Sequence, residues 1–247
     1  MSPDPFVSSN AWQQARRKMS RRELRKKRQA EDKRPRRESP YDKRPIMQDA
    51  LAQSIVDFWF VPAPGEAVTG EPTKPRDRVT RDVWFRKDDA FDAVIRDRFA
   101  VALAAGIAGA FGHWCDEPLG CLARVVLLDQ FTRNAFRGTP RAFAGDAGAL
   151  ATSQLAIARG FDRSLAPQER WFLYLPFEHS ESLAEQQRGI ALFETLAQSG
   201  LDSPLAWAIR HRDIISRFGR FPHRNVILGR TTTPEEQAFL DGGGFKG

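Results

Sequence analysis

From residue 48 onward, apolar positions return every three or four residues, and the residues between these runs are those that start and stop helices. Residues 49–60, DALAQSIVDFWF, open with Asp49 as an N-cap candidate and carry Leu51, Ile55, Phe58 and Trp59 as the apolar set. The Pro- and Gly-rich stretch VPAPGEAVTGEPTKPRD halts that helix. In DDAFDAVIRDRFAVALAAG, Phe91, Ile95, Phe99 and Ala102 follow at intervals of four, four and three, and Gly106 ends the run. Leu119 to about Phe136 reads as a third helix, and Asp146 to Arg159, closed by Gly160, as a fourth. A short helix opens at Pro167. Longer ones cover 182–198 and 203–218, the second with Ser203 as N-cap and Pro204 in its first turn. Thr233-Pro234-Glu235-Glu236 forms a capping box ahead of a last helix. Alternation of period two is almost absent and no repeat of fixed length is visible. The reading is therefore all-α: a multi-helix bundle forming one domain over 48–247.

Three of these helices carry a polar residue where the stripe calls for an apolar one. In CLARVVLLDQFTRNAFRG (121–138) the first two turns are apolar almost all round, the mark of a central buried helix. Its stripe of Leu122, Val125 and Val126 then runs into Asp129 and Arg133, with Gln130, Asn134 and Arg137 as an adjacent polar row. A carboxylate on a core stripe must be paired or face water, because an unpaired buried charge is strongly destabilising. Asp129 and Arg133, four apart, are spaced to pair. His211 interrupts the row Trp207, Ile214, Phe218, and Gln186 interrupts the row Leu183, Ile190, Phe193. One such interruption is an ordinary hydrogen-bonded core residue; three on separate helices point to a shared cavity.

Two polar loops supply more chemistry. PFEHSES (176–182) offers Glu178, His179, Ser180 and Glu181, and RFGRFPHRN (217–225) offers Arg217, Arg220, His223, Arg224 and Asn225. Imidazole titrates near neutral pH, so His179, His211 and His223 are the candidate acid–base groups, with Asp129 and Glu181 to orient them. Gln130, Arg133, Asn134, Arg137, Arg217, Arg220, Arg224 and Asn225 are the candidate ligand-binding set, since guanidinium forks suit carboxylate or phosphate. The competing reading pairs these arginines with Asp129, Glu178 and Glu181 as struts across the bundle. No metal site is expected: there is no His-Glu-x-x-His or Glu-x-x-His, and the Cys115/Cys121 spacing matches no common zinc pair. No cofactor is expected either. There is no Gly-x-Ser-x-Gly elbow, and the terminal GGGFKG lacks the following helix that a phosphate loop needs.

Composition narrows the class. With 41% hydrophobic and 11% aromatic residues, the 247-residue chain is not disordered throughout. Two cysteines and no leader-like apolar segment near the start read as cytoplasmic. The longest uncharged apolar run, Phe99 to Phe111, is too short to span a bilayer. The net charge of +7 belongs to the N-terminal end: residues 1–45 hold 15 Lys/Arg against 6 Asp/Glu, and the rest hold 23 against 25. RRKMSRRELRKKRQAEDKRPRR cannot bury enough surface to offset its ordering entropy, so residues 1–47 read as a disordered basic arm. Such an arm binds nucleic acid or anionic lipid by counterion release, or is a solvated tail, or precedes a true start at Met47.

The strings VDFWF, VWFRKDDAFD, LLDQFTRNAFRGTPRAFAGDAGAL, RWFLYLPFEHSESLAEQQ, RHRDIISRFGRFPHRNVILGR and TPEEQAFL, in this order, resemble the bacterial family catalogued as domain of unknown function 924. The resemblance runs from about residue 50 to 241. It implies an all-helical body related to tetratricopeptide-like folds, and no reaction. Besides residues already named, the family's motif falls on Asp146; Thr132 stands where its pattern has proline, and Ser182 where it has Asp. The expectation is a helical protein whose polar pocket binds a small anionic metabolite, a carboxylate or a phosphate. The alternatives are a tetratricopeptide-like scaffold for a peptide or protein partner, and RNA association through the arm.

Overall fold

The computed structural model describes residues 49–69 and 79–245, so the expectations for the basic arm lie outside the described residues. By its contacts the chain divides into residues 1–42 and 43–247, and every element below belongs to the second unit. Helix α1 (Ala50–Phe60) starts as expected, with the Asp49 carboxylate accepting from the Leu51 and Ala52 amides at 2.9 and 3.0 Å. A two-residue antiparallel ribbon follows, β1 (Val68–Thr69) against β2 (Thr80–Arg81), with Val68 opposite Arg81. Arg81 is buried. It pairs with Glu66 and donates to the carbonyls of Phe58 and Trp59 at 2.6 Å, which satisfies two orphan acceptors at the end of α1.

Helix α2 (Asp89–Ile107) leads through a 3₁₀ turn (Gly112–Asp116) into α3 (Pro118–Val125). The expected helix over 119–136 is continuous but not uniform. After α3 comes a π-helical turn (Val126–Phe131), then α4 (Thr132–Ala135). Helices α5 (Asp146–Ala158), α6 (Pro167–Glu178), α7 (Leu183–Gln198), α8 (Ser203–Phe218) and α9 (Pro234–Asp241) complete the described elements. The fold is helical, as the periodicity implied. The helix opening at Pro167 is twelve residues long, not short. Helix α8 begins one residue early, with Asp202 as N-cap in place of Ser203, because a Leu205 N–H to Asp202 carbonyl bond of 3.1 Å closes its first turn.

The core lies around α3 and the π turn, fully enclosed from Cys121 to Phe131 apart from Arg124, with an aromatic centre of Phe58, Trp59, Phe99, Phe131 and Phe172. Trp59 meets Phe172 at 5.4 Å and Phe99 meets Phe131 at 4.8 Å between ring centroids. Helix α6 is buried from Trp171 to Glu178. Helix α7 lies across it at Gly189, where an added Cβ would come within 3.0 Å of Phe177 Cβ. Two expected stripes hold in part. Trp207 is 48% exposed and Leu183 is also exposed, whereas His211 and Ile214, and Gln186 and Phe193, are buried as expected; Pro204, Ala208 and Ile215 on α8, and Gly189 and Leu196 on α7, complete the buried faces. His211 and Gln186 stay on the buried face.

Candidate functional site

Asp129 sits in the π turn with none of its surface exposed. Its Oδ1 accepts from His179 Nδ1 at 2.7 Å and from Arg133 Nη1 at 3.1 Å, and its Oδ2 accepts from Gln130 Nε2 at 2.6 Å. Burial works against ionisation here. The Arg133 charge and the hydrogen bonds from His179 and Gln130 outweigh it, holding the carboxyl below the usual carboxylate range. The π turn leaves carbonyls for side chains to satisfy: Leu128 O accepts from the Thr132 hydroxyl at 2.7 Å, and Asp129 O from Arg133 Nη1 at 2.7 Å.

The second carboxylate comes from the start of α5. Gly145, just ahead of it, would place a Cβ 2.1 Å from Leu128 O, so only hydrogen fits. That approach sets Asp146 against the π turn, where Oδ1 meets Arg133 Nη1 at 2.8 Å and Oδ2 meets Arg224 Nη1 at 3.3 Å. Arg224 comes from the 3₁₀ turn Pro222–Arg224 beyond α8. Its guanidinium is sandwiched between the rings of Phe143 and Phe221, 4.7 and 4.6 Å from their centroids, and Nη2 donates to His179 O at 3.0 Å. Burial, then the neighbouring Arg133 charge, lowers Arg224 to about 10. Two guanidinium donors in this cluster are buried without a partner: Arg133 Nη2 and Arg224 Nε.

His179 ends α6, and α7 fixes that end: Gln186 Nε2 donates to Glu178 O at 2.6 Å and Ser180 O at 2.7 Å. With Nδ1 on Asp129, His179 Nε2 has no hydrogen-bond partner among the described residues. Burial and the Arg133 charge lower its basicity, so the ring is neutral near pH 7. The side chains of His179, Arg133 and Asp146 are 17%, 19% and 25% exposed, so solvent reaches one side of the cluster while Asp129 backs it.

Behind His179 lies a second pair. His211 Nδ1 is 2.8 Å from Trp207 O and 3.1 Å from Glu178 Oε1, and Glu178 Oε2 is buried without a partner. Burial first, then the Asp129 charge, pushes Glu178 up to about 8; burial takes His211 down to about 3. Both are neutral near pH 7. His223 is lowered to about 4 by burial and the Arg224 charge, and its Nδ1 is buried without a partner. The Phe245 ring covers this side, 4.6 Å from His211 and 5.1 Å from His223.

The sequence-derived set therefore divides. Asp129, Gln130, Arg133, His179, His211, His223 and Arg224 gather around the cluster, joined by Asp146 and Glu178. Asn134 and Arg137 instead clasp Asp92 of α2, at 2.7 Å from Nδ2 and 2.8 Å from Nε. Glu181 takes a bidentate Arg230 (2.7 and 3.0 Å) and the Phe221 amide (2.8 Å). Burial opposes its ionisation, but these donors outweigh it and leave the carboxyl below its usual value. Arg217 pairs with Glu235, Arg220 with Glu236 at 2.6 and 2.8 Å, and Asn225 with Glu236 at 3.1 Å; these tie the 217–225 loop to α9. Arg230, missed in the sequence, also holds Asn225 and Phe221. Its only sequence signal was its place in the string ending VILGR.

Among the described residues no group of three or more His, Cys, Asp or Glu is arranged to hold a metal ion, and no helix is long and apolar enough to cross a membrane. A separate open groove of about 340 Å³ runs between α8 and α9, lined by Ile209, Ile214, Phe218 and Phe239 with Arg210, Asp213 and Arg217.

A family model described as "Bacterial protein of unknown function (DUF924)" matches residues 55–244, which contain every residue of the cluster. A solved structure of ATU0120, a protein of unknown function from Agrobacterium tumefaciens, is 42% identical with a TM-score of 0.66, covering 78% of this chain and 98% of that one. No curated protein matches the chain.

Proposed function

The chain belongs to the DUF924 family of bacterial proteins, and we propose that its Asp129–His179–Arg133–Arg224 cluster is an acid–base site for a small anionic metabolite carrying a carboxylate or phosphate. One observation carries this reading: an imidazole whose Nδ1 is fixed on a buried carboxylate, beside two guanidinium groups that each keep an unpartnered N–H. Nδ1–H donating to Asp129 leaves the lone pair on Nε2, the tautomer a general base needs. Arg133 Nη2 and Arg224 Nε offer charge-assisted donors to an anion without giving up Asp146. Glu178, protonated near neutrality, and Asp129, ionised, are two carboxyls driven apart by their surroundings, the pattern of an acid and a base held in one site.

The scaffold alternative has one feature in its favour, the groove between α8 and α9. Against it, most of the aromatic residues are spent inside the core.

The test is thermal stabilisation by a panel of small carboxylates and phosphate monoesters. A ligand at about a hundred times its Kd stabilises by ~2.7 kcal/mol. The expected result is stabilisation of the wild type that His179→Gln keeps and Arg224→Met loses. Arg224→Lys, which keeps the charge but not the fork, should be intermediate. For any ligand the wild type transforms, His179→Gln should lower turnover by about 10²–10⁴-fold. If no anion stabilises the wild type, or if Arg224→Met responds as the wild type does, the reading is wrong.

A further inference from the structure

The two cysteines take no part in that site. Cys115 lies in the 3₁₀ turn Gly112–Asp116 and Cys121 in α3; both are free and buried. The Cys121 thiol donates to the Cys115 carbonyl oxygen at 3.6 Å, which brings its sulfur next to Cys115. One turn further on, Arg124 Nη1 sits 3.8 Å from Cys115 Sγ and 2.9 Å from Thr152 Oγ1. Among the described residues Arg124 makes no ion pair with a carboxylate, and its Nε is buried without a partner. A partly buried guanidinium in this position needs an anion, and the Cys115 sulfur is the one group in contact that can become one.

The other charges nearby do not compete for that role. Arg159 Nη1 donates to Cys115 O at 2.6 Å and lies 3.6 Å from the exposed Asp116, and no contact joins Asp116 or Glu117 to either sulfur. The neighbouring Cys121 thiol lowers the Cys115 thiol to about 6, against the effect of burial and with help from Arg124 and Thr152; the same neighbourhood pushes Cys121 up. The turn carrying Cys115 begins at Phe111, the single non-glycine residue with a left-handed backbone among the described residues, at φ 67°. Cys115 keeps 3% of its surface exposed in this turn, and the left-handed residue at its start is a local strain.

We propose that Cys115 is a peroxide-reactive sulfur and that Cys121 closes a disulfide with it. The Cys115 thiolate attacks one oxygen of hydrogen peroxide; an S–O bond forms, the O–O bond breaks and hydroxide leaves, giving the sulfenic acid. The Cys121 sulfur then attacks the Cys115 sulfur. The S–S bond forms as the S–O bond breaks, and the departing oxygen leaves as water with the Cys121 proton. Two thiols are oxidised and one peroxide is reduced to two waters. Buried cysteines that merely fill the core would be inert.

The test treats the intact protein with hydrogen peroxide at neutral pH, then quenches, denatures and maps thiols by alkylation and mass spectrometry. The wild type should lose both thiols together, with a 115–121 crosslink that dithiothreitol reverses. Cys121→Ser should stop at a Cys115 sulfenic acid that dimedone traps. Arg124→Gln should react about tenfold more slowly at pH 7, with the gap closing at alkaline pH where the thiol ionises unaided, while Arg124→Lys keeps most of the rate. Survival of both thiols at peroxide levels that oxidise glutathione, an unreactive Cys115 in Cys121→Ser, or an Arg124→Gln rate equal to the wild type would each overturn the proposal.

Discussion

Two buried acids, Asp129 and Glu178, lie on either side of His179, and the structure gives their amide replacements opposite effects on stability. Glu178 ionises near pH 8 in the fold, because of burial and the Asp129 charge, against an ordinary value of 4.5. A carboxyl raised in this way imposes no penalty below pH 4.5. Above it the unfolded chain ionises and the fold does not, so stability drains away at about 1.4 kcal/mol per pH unit until pH 8. From 4.5 to 7 that amounts to about 3 kcal/mol, and by pH 8.5 to about 4–5 kcal/mol. Glu178→Gln removes the drain. The variant should match the wild type near pH 4.5 and be the more stable protein at pH 8. Asp129 is lowered, so its stabilisation is present above pH 3.8 and is lost only as pH falls through its folded value. Asp129→Asn leaves Arg133 sharing Asp146 with Arg224 and should cost about 3–5 kcal/mol near pH 5, and less toward pH 8, where Glu178 is relieved of the Asp129 charge. Urea unfolding followed by circular dichroism at half-unit pH steps measures both. His211 and His223, neutral in the fold down to about 3 and 4, add a slope below pH 6.5 that all three proteins share, so the differences between proteins cancel it. If Glu178 were ionised and paired with a charged His211 at 3.1 Å, Glu178→Gln would destabilise at neutral pH instead. A gap that fails to open in favour of the variant between pH 5 and 8 refutes the reasoning.

Two other changes separate structure from site. Arg137→Ala strips the ion pair from buried Asp92 and leaves it the Asn134 amide; unfolding should become easier by about 2–3 kcal/mol, with stabilisation by anions unchanged. Gly145→Ala places a methyl on Leu128 O, so α5 must retreat and carry Asp146 from Arg133. Calorimetry should show a loss of about 3 kcal/mol or more, and ligand stabilisation should fall with it.

What the sequence could disclose was what neighbouring residues decide among themselves. Asp49 caps α1, Gly160 takes φ 70° after α5, and Thr233 with Glu236 forms the reciprocal box of α9, all set within four residues of chain. Asp129 and Arg133 were legible for the same reason, being one turn apart. The π turn was not, since one extra residue in a turn leaves a short apolar run looking like any helix; its chemical trace is Thr132, whose hydroxyl bonds Leu128 O. Partner choice across the fold was equally hidden. Asn134 and Arg137 share a row with Gln130, yet α2 presents Asp92 to them, a residue that reads as an ordinary acid in the first turn of a surface helix. Glu178 had a usable signal that went unread. It follows seven apolar residues, Trp171 to Phe177, and burial with no cationic partner is what raises this carboxyl.

The charge balance of the cluster is what lets the proposed function place binding and base chemistry together. With the three histidines and Glu178 neutral, Asp129 and Asp146 face Arg133 and Arg224, two charges of each sign. The arginines are therefore neutralised well enough to be buried, while one donor on each remains unspent. His179 is kept neutral by burial and Arg133, against the pull of Asp129. An anion arriving on the two free donors adds a negative charge beside that imidazole and offsets the Arg133 field that suppresses it. On the proposed reading the ring becomes a better proton acceptor once an anion is seated, and is a poor one in the empty site. On that reading binding and basicity arise from the same electrostatic event, which a lone histidine on an apolar stripe, however well oriented, could not produce.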